Sequence, residues 1–219
     1  MNDAPPLADT SDMIGLHRVF RNAGADGPDL IRTADTAERT ALVASYLTNV
    51  LSLLRSHHEG EDEIVTPRLK DRASASEVAD VERIAAQHEP VIALIDAAHQ
   101  ALSAWESDPS PARADHAAAS VIALNDGLTP HLDEEEAVVL PIAGRYLTAP
   151  EWGELPSHGM RTYAGDKLWL IMGLIREQMT AQQIANMDAH MPPPVKEMWE
   201  GMGQRSFTEF AGQLRGVTT

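Results

Sequence analysis

The chain contains no cysteine. This absence excludes disulfides, thiolate metal ligands and cysteine nucleophiles, so any bound metal must be held by imidazole and oxygen ligands, which suit iron, manganese or zinc. Basic residues are also scarce, because 17 Lys and Arg face 33 Asp and Glu and leave a formal net charge of −16. Such a charge disfavours binding to a phosphate backbone, and we expect no nucleic-acid partner.

Long apolar runs and strand signals are missing as well. No run approaches the roughly 20 apolar residues that span a bilayer, and residues 1–12 lack the apolar centre of a signal peptide. We therefore expect a soluble, cytoplasmic protein with no membrane partner. Alternating Val, Ile and Thr runs bounded by tight turns do not occur, and aromatic residues make up only 5% of the chain, so the sequence predicts an all-α fold.

Two matching phrases carry the chemistry of this sequence. Residues 57–67 read HHEGEDEIVTP and residues 131–141 read HLDEEEAVVLP, so each contains His-x-x-x-Glu with a proline six residues after the Glu. Side chains four residues apart share one face of a helix, with Cβ atoms about 5–6 Å apart. His57 with Glu61, and His131 with Glu135, are therefore each predicted to point at one place, as the ligands of a metal site do.

Each phrase is preceded by a lone histidine. His17 lies 40 residues before His57, and His88 lies 43 residues before His131. This repetition predicts two similar helical hairpins, each ending in a His-x-x-x-Glu helix. Four helices would then offer ligands to one bundle core, where cofactor sites are built from facing side chains. We predict a four-helix bundle over residues 10–147.

Hydrophobic periodicity, caps and breakers place the four helices. The first is expected to begin at an Asp12 cap and to weaken or bend at Gly24, Gly27 and Pro28. The other three are expected from Thr36 to Leu69, from Ser74 or Ser76 to Trp105, and from Ala112 to Tyr146 with a kink at Pro130.

Composition changes after Thr148. Seven of nine methionines and three of four tryptophans lie from Glu151 onward, whereas residues 150–159 are rich in turn-forming residues. Helices are expected after Asp166, after a capping box at Thr180, and over residues 195–214 beyond a run of three prolines. Because methionine suits adaptable apolar surfaces, residues 148–219 are predicted to form a helical extension packed on the bundle. This extension is expected to cover one end of the bundle or to form a homodimer contact.

The order His, His-x-x-x-Glu, His, His-x-x-x-Glu resembles the hemerythrin-like (HHE) cation-binding family over about residues 10–147. The resemblance implies an up-down four-helix bundle around a non-haem di-iron centre, with two iron ions and an oxo or hydroxo bridge. By this resemblance, His17 and His57 would bind one iron, and His88 and His131 would bind the other. Glu61 and Glu135 would bridge the two ions.

The chain departs from oxygen-carrying hemerythrins at two places. Those proteins have a second histidine one turn after the first on the third helix, whereas Ile92 stands four residues after His88. The carboxylate on the fourth helix comes four rather than five residues after its histidine, although Glu136 occupies the fifth place. We therefore expect a site that is more open than a carrier's, which favours redox turnover over reversible oxygen carriage.

The predicted function is the binding and turnover of a small oxidant, namely peroxide, dioxygen or nitric oxide, by a catalase-like or nitric-oxide-handling oxidoreductase. The alternative is a non-enzymatic protein that binds, stores or senses oxygen or iron. A third hypothesis is an interaction protein whose Met-rich tail is switched by the site.

Other metal-site classes do not match this pattern. Ferritin-like sites use Glu-x-x-His pairs, but the residues three before the four candidate histidines are Ile14, Leu54, Ala85 and Leu128. The His-Glu-x-x-His motif of zinc proteases is also absent.

The remaining histidines are harder to place. His58 is rotated about 100° from His57 on a helix; it could be a surface group, an extra ligand or a hydrogen-bonding partner near the site, and we favour the last. His158 could cap the mouth of the bundle, although a loop histidine is the favoured interpretation. The others are expected to be exposed or hydrogen-bonded away from the site: His99, His116 and His190.

Overall fold

A computed structural model describes residues 5–163 and 165–216, and most of them are helical. The helices of the first part are α1 Ser11–Arg32, α2 Ala37–Gly60, α3 Thr66–Arg72, α4 Ala75–Ala85, α5 His88–Ser107, α6 Pro111–Glu134 and α7 Leu140–Tyr146. The π-helical segments Glu61–Val65 and Glu135–Val139 join α2 to α3 and α6 to α7. Among the described residues, β-pairing is limited to one isolated bridge, between Leu7 and Thr148. The predicted all-α fold is confirmed.

The four long helices form a closed ring. Helix α1 packs against α2 and α6, and α5 packs against the same two helices. Residues 33–36 and 108–110 are the only links within the two hairpins, and such short connections favour antiparallel neighbours. The up-down order of the helices stays a prediction.

Two apolar clusters form the core of the described residues. The larger lies between α1, α2, α5 and α6 and includes Phe20, Leu54, Ile95 and Leu128. The smaller lies around α3, α4 and α7 and includes Val65, Leu69, Ile84 and Leu140. Both π-helical segments fall at the boundary between the clusters, which is also where the candidate ligands lie.

Helix α1 does not weaken at its glycines. A Cβ atom at Gly24 would lie 2.3 Å from Asn125 Oδ1, and one at Gly27 would lie 3.1 Å from Leu47 Cδ2. The two glycines therefore allow α1 to approach α6 and α2 closely, and the helix continues past Pro28. The predicted weakening was wrong because packing across the bundle outweighs the low helix propensity of these residues.

Two expected helix boundaries also change. Thr10, not Asp12, is the N-cap residue of α1, and the Asp12 carboxylate instead accepts a hydrogen bond from Trp152 Nε1 at 3.0 Å. The predicted third helix is interrupted between α4 and α5 at residues 86–87. Pro90, in the first turn of α5, has no N–H to donate to the carbonyl of residue 86, which explains the break.

Residues beyond 148 continue as helices: α8 Ala149–Trp152, α9 Glu154–Thr162, α10 Leu168–Glu177, α11 Ala181–His190, α12 Pro193–Met198 and α13 Gln204–Leu214, with a π-helical segment Trp199–Gly203 between the last two. Helices α8 and α9 cover residues 150–159 except Gly153, although that segment is rich in turn-forming residues. The capping box at Thr180 is confirmed.

The extension shares the core of the bundle. Leu170, Ile171, Phe207 and Phe210 from α10 and α13 belong to the larger apolar cluster, while α9 packs on α2 and on the segment that follows it. The division into two domains near residue 148 and the homodimer contact stay predictions. Within the described ranges, none of the helices is both long and apolar enough to cross a membrane.

Candidate metal centre

A layer of polar side chains separates the two apolar clusters. All of its members are at most 7% exposed, and they come from four helices and two π-helical segments: His17, His57, His58, Glu61, His88, His131 and Glu135. Seven buried donor residues at one level of a bundle are unusual, because buried polar groups need partners.

The donor atoms of this layer form two groups. One group contains His17, His57, Glu61 and Glu135. The other contains His58, His88 and His131. The donor atoms of each group lie within 4.8 Å of one another, and the rest of the described chain offers no third group of this kind. Each group can hold one ion.

Glu61 lies between the two groups. Its Oε2 atom is 3.5 Å from His57 Nε2 in the first group and 3.7 Å from His88 Nε2 in the second. These separations are too long for good hydrogen bonds. They are short enough for two donor atoms to share one ion at about 2.0–2.2 Å from each.

Glu135 makes the equivalent contacts from the second His-x-x-x-Glu motif. Its Oε2 atom is 3.6 Å from His17 Nε2 in the first group and 3.7 Å from His131 Nε2 in the second. Each carboxylate therefore reaches imidazoles of both groups.

The two π-helical segments begin at these glutamates. In each segment, the N–H of the residue that follows it donates to the carbonyl of the glutamate, a wider turn than in an α-helix. Pro67 and Pro141 come one residue later. Proline lacks an N–H and its ring clashes with the carbonyl four residues before it, so an ordinary α-turn is unavailable there. The proline six residues after each glutamate was a sequence signal for this turn.

Comparison with known families decides the class of this protein. The hemerythrin HHE cation-binding domain matches residues 10–143, more than half of the chain. The chain belongs to the hemerythrin HHE family. No curated protein and no solved structure matches it. Membership identifies the bundle as a cation-binding domain, and the polar layer is its candidate site.

Three histidines of this HHE domain are oriented by hydrogen bonds at Nδ1. The acceptors are Glu136 Oε1 for His17 at 2.9 Å, Asp62 Oδ1 for His88 at 2.8 Å and Gln87 Oε1 for His131 at 3.0 Å. A partner at Nδ1 fixes the ring and leaves Nε2 free to bind a metal. Asp62 and Gln87 were missed by the sequence analysis, although each is a neighbour in sequence of a candidate ligand, and Glu136 faces His17 rather than the centre of the layer.

The atoms that face the centre lack protein partners. They are Nε2 of His17, His57 and His131, both ring nitrogens of His58, and Oε2 of Glu61 and Glu135. Leaving so many buried donors and acceptors unpaired is costly. Cations bound between them would satisfy them together, so the residues present fit the metal ions that the family binds.

Burial sets the charge state of the layer. It raises the pKa of Glu61 well above its ordinary value, and the nearby charge of Glu135 raises it further. Burial also lowers the pKa of His57 and of His58 well below the ordinary value and lowers the pKa of His131 to about 4. These three imidazoles are therefore neutral at pH 7 and able to ligate, while the carboxylates of the layer favour a cation beside them.

The other predicted positions lie outside the two groups. Ile92 is half-buried on α5, His99 is half-buried further along the same helix, and His116 and His190 are exposed. His158 is buried on α9 with Nε2 unpartnered, and its ring packs against Gly60 at the end of α2. The loop interpretation of His158 was wrong, because residues 154–162 form a helix.

Proposed function

We propose that this HHE protein binds two iron ions side by side and uses them to bind and turn over a small oxidant: peroxide, dioxygen or nitric oxide. The observation that carries the proposal is the position of Glu61 and Glu135, each of which lies within 3.7 Å of histidines from both donor groups. A carboxylate has two oxygens and can bridge two ions while offsetting their repulsion.

The ligand assignment follows the two donor groups. His17 and His57 would hold one ion. His58, His88 and His131 would hold the other, and Glu61 and Glu135 would serve both. His58 thus becomes a ligand instead of a hydrogen-bonding neighbour, which is supported by its burial and by two ring nitrogens without a protein partner.

This assignment moves the open position. Ile92 removes one histidine from the His88 side, but His58 supplies a third imidazole there from α2. The ion held by His17 and His57 then has fewer protein ligands, and we propose that small molecules bind on that side. Histidine and carboxylate ligands with open positions are typical of non-haem iron sites that react with oxygen.

The protein groups prepare the site for this chemistry. Bound iron would supply a Lewis acid and one-electron redox steps. The carboxylate of Glu136 holds the Nδ1 proton of His17 and is itself held by Arg21 Nη2 at 3.0 Å. The apolar clusters above and below exclude bulk water, which strengthens electrostatic interactions within the layer.

A binding or sensing role is the second candidate. The complete burial of His17 and His58 favours it, because a closed site restricts the access of polar reactants and the release of products.

Elemental analysis combined with optical spectroscopy tests the proposal. We expect two iron ions per chain, a spectrum that changes on addition of peroxide, and consumption of peroxide or nitric oxide. At most one ion in a folded, fully loaded sample would rule out the dinuclear site. Two ions with reversible dioxygen uptake over hours and no consumption of any oxidant would support the binding or sensing role instead.

A further inference from the structure

A small cavity lies inside the larger apolar cluster, between α1, α2 and α6. It measures about 20 Å³, more than the roughly 10–15 Å³ that one water-sized molecule needs. Almost every side chain that lines it is apolar. The exception is Asn125.

This lining makes the cavity a poor place for water. A buried water molecule needs two to four polar partners, and Asn125 is the sole polar side chain in the lining. Its amide already accepts a hydrogen bond from Thr129 Oγ1. Apolar cavities of this kind stay dry and take up apolar guests, and this one has room for a molecule of two heavy atoms.

The inner end of the cavity touches the metal layer. Phe20, Leu54 and Leu128 line it, and each is three residues from a candidate ligand. The ring of Phe20 is centred 5.4 Å from the ring of His57 and 6.5 Å from that of His17. The cavity therefore ends beside the donor group with two imidazoles, the side on which the open position is proposed.

The outer end of the cavity lies between α1 and α6. Gly24 and Asn125 are half-buried, whereas the other lining residues are buried. A Cβ atom at Gly24 would lie 2.3 Å from Asn125 Oδ1. The glycine thus lets the amide of Asn125 cover this end of the cavity.

We infer that this cavity is an entry and holding pocket for an uncharged apolar diatomic molecule, dioxygen or nitric oxide, on its way to the His17–His57 side of the centre. The inference rests on the proposed function and narrows it, because a pocket with one polar group selects these gases over hydrogen peroxide, which must keep its hydrogen bonds. Phe20 forms the partition between the pocket and the layer.

The pocket can be tested without turnover. Dissolved dioxygen is paramagnetic, so it broadens the NMR signals of methyl groups that it contacts. In zinc-loaded protein labelled at Leu and Val methyls, we expect a several-fold larger effect on Leu47, Leu54, Val121 and Leu128 than on equally buried methyls of the smaller cluster, such as Leu69 and Leu147. Equal effects in the two clusters would overturn the inference.

A matched pair of variants tests the route. Ala23→Val adds two carbons to a lining residue, whereas Ala25→Val adds the same atoms to the exposed side of α1. We expect Ala23→Val to remove the methyl relaxation contrast and Ala25→Val to keep it. A contrast unchanged in folded Ala23→Val would contradict the pocket.

Rapid mixing of the reduced iron-loaded protein then distinguishes the guests. We expect Ala23→Val to slow the reaction with dioxygen, with nitric oxide or with both several-fold, and to leave the peroxide reaction unchanged; the slowed gas is the guest. Slowing of all three reactants alike would place the effect at the centre and refute the route. Metal analysis reports on the centre and methyl relaxation on the cavity, so the two proposals can fail separately.

Discussion

The first half of the bundle consists of α1, α2 and the segment Glu61–Val65, and the second half of α5, α6 and the segment Glu135–Val139. The two halves make equivalent hydrogen bonds to each other. His17 of the first half donates to Glu136 of the second, and His88 of the second donates to Asp62 of the first. Each acceptor directly follows a glutamate of the layer. The first hairpin therefore orients a histidine of the second and the second orients one of the first, so neither hairpin contains a complete site.

Two differences between the halves lie directly beside the candidate ligands. The residue after His57 is His58, in the polar layer, whereas the residue after His131 is Leu132, in the larger apolar cluster. The residue before His88 is Gln87, which accepts from His131, whereas the residue before His17 is Leu16. The repeated motif thus supplies a common frame, and the differences give the two donor groups unequal numbers of imidazoles.

Removal of either glutamate should have the largest effect. Because Glu61 and Glu135 are placed alike between the groups, we expect Glu61→Ala and Glu135→Ala each to lose both ions. The stabilisation lost would be about 4 kcal/mol per ion at a free metal concentration a thousandfold above Kd. Elemental analysis and urea unfolding with and without metal measure this. A variant that keeps two ions, or an unfolding free energy that does not depend on metal, would break the symmetry argument.

Copying the second half into the first should weaken the binding of one ion. His58→Leu reproduces Leu132 and leaves each ion two imidazoles, so we expect it to bind one of the two ions more weakly than the unchanged protein does. His99→Leu is the matched control, since His99 is half-buried on α5 outside both donor groups, and it should bind both ions with unchanged affinity. Retention of two ions at unchanged affinity in His58→Leu would return His58 to the role of a neighbour.

His58 also shows where the sequence was sufficient and where it was not. The pairs His57–Glu61 and His131–Glu135 could be predicted because a spacing of four is a local property of a helix. The rotation of about 100° between neighbouring residues correctly predicted that His58 points away from His57. It did not predict that His58 would lie beside His88 of α5 and His131 of α6. That contact depends on how α5 and α6 pack against α2, which a local sequence pattern does not determine.

The other differences have the same origin. The break before α5, which puts Gln87 beside His131, required reading Pro90 as a helix start rather than as part of a continuous helix. Gly24 and Gly27 resemble helix breakers in one dimension, but in the folded protein they are contact points for α6 and α2. Local signals predicted the ligands, whereas tertiary packing decided their grouping.

Loss of an Nδ1 acceptor should have a smaller effect. We expect Gln87→Ala to weaken binding of one ion by about 10–100-fold, because such partners orient the ligating ring. Asp62→Ala should do the same through His88. Asp126→Ala, on the exposed side of α6, is the control. Metal competition titrations measure the affinities, and unchanged affinity in both variants would show that the rings are oriented by packing alone.

The smallest effect concerns metal-free protein and pH. The raised pKa of Glu61 means that its contribution to stability is present below about pH 4.5, its unfolded value, and is lost as pH rises through its folded pKa. Glu61→Gln has no such loss. We expect metal-free Glu61→Gln to gain stability over the unchanged protein as pH rises from 4.5 to 8, and iron to reverse the order. Parallel pH profiles of the metal-free proteins would contradict this.

The polar layer also fixes how the helices slide against one another. A leucine-lined interface tolerates a shift of one turn, because one apolar residue can replace another. In this bundle a shift of α1 by one turn would carry His17 into a cluster of leucines and would bring Phe20 or Met13 to the level of the two carboxylates. Buried polar residues can define register in this way in helical assemblies. The side chains of the candidate metal site therefore also define one relative register for the four helices.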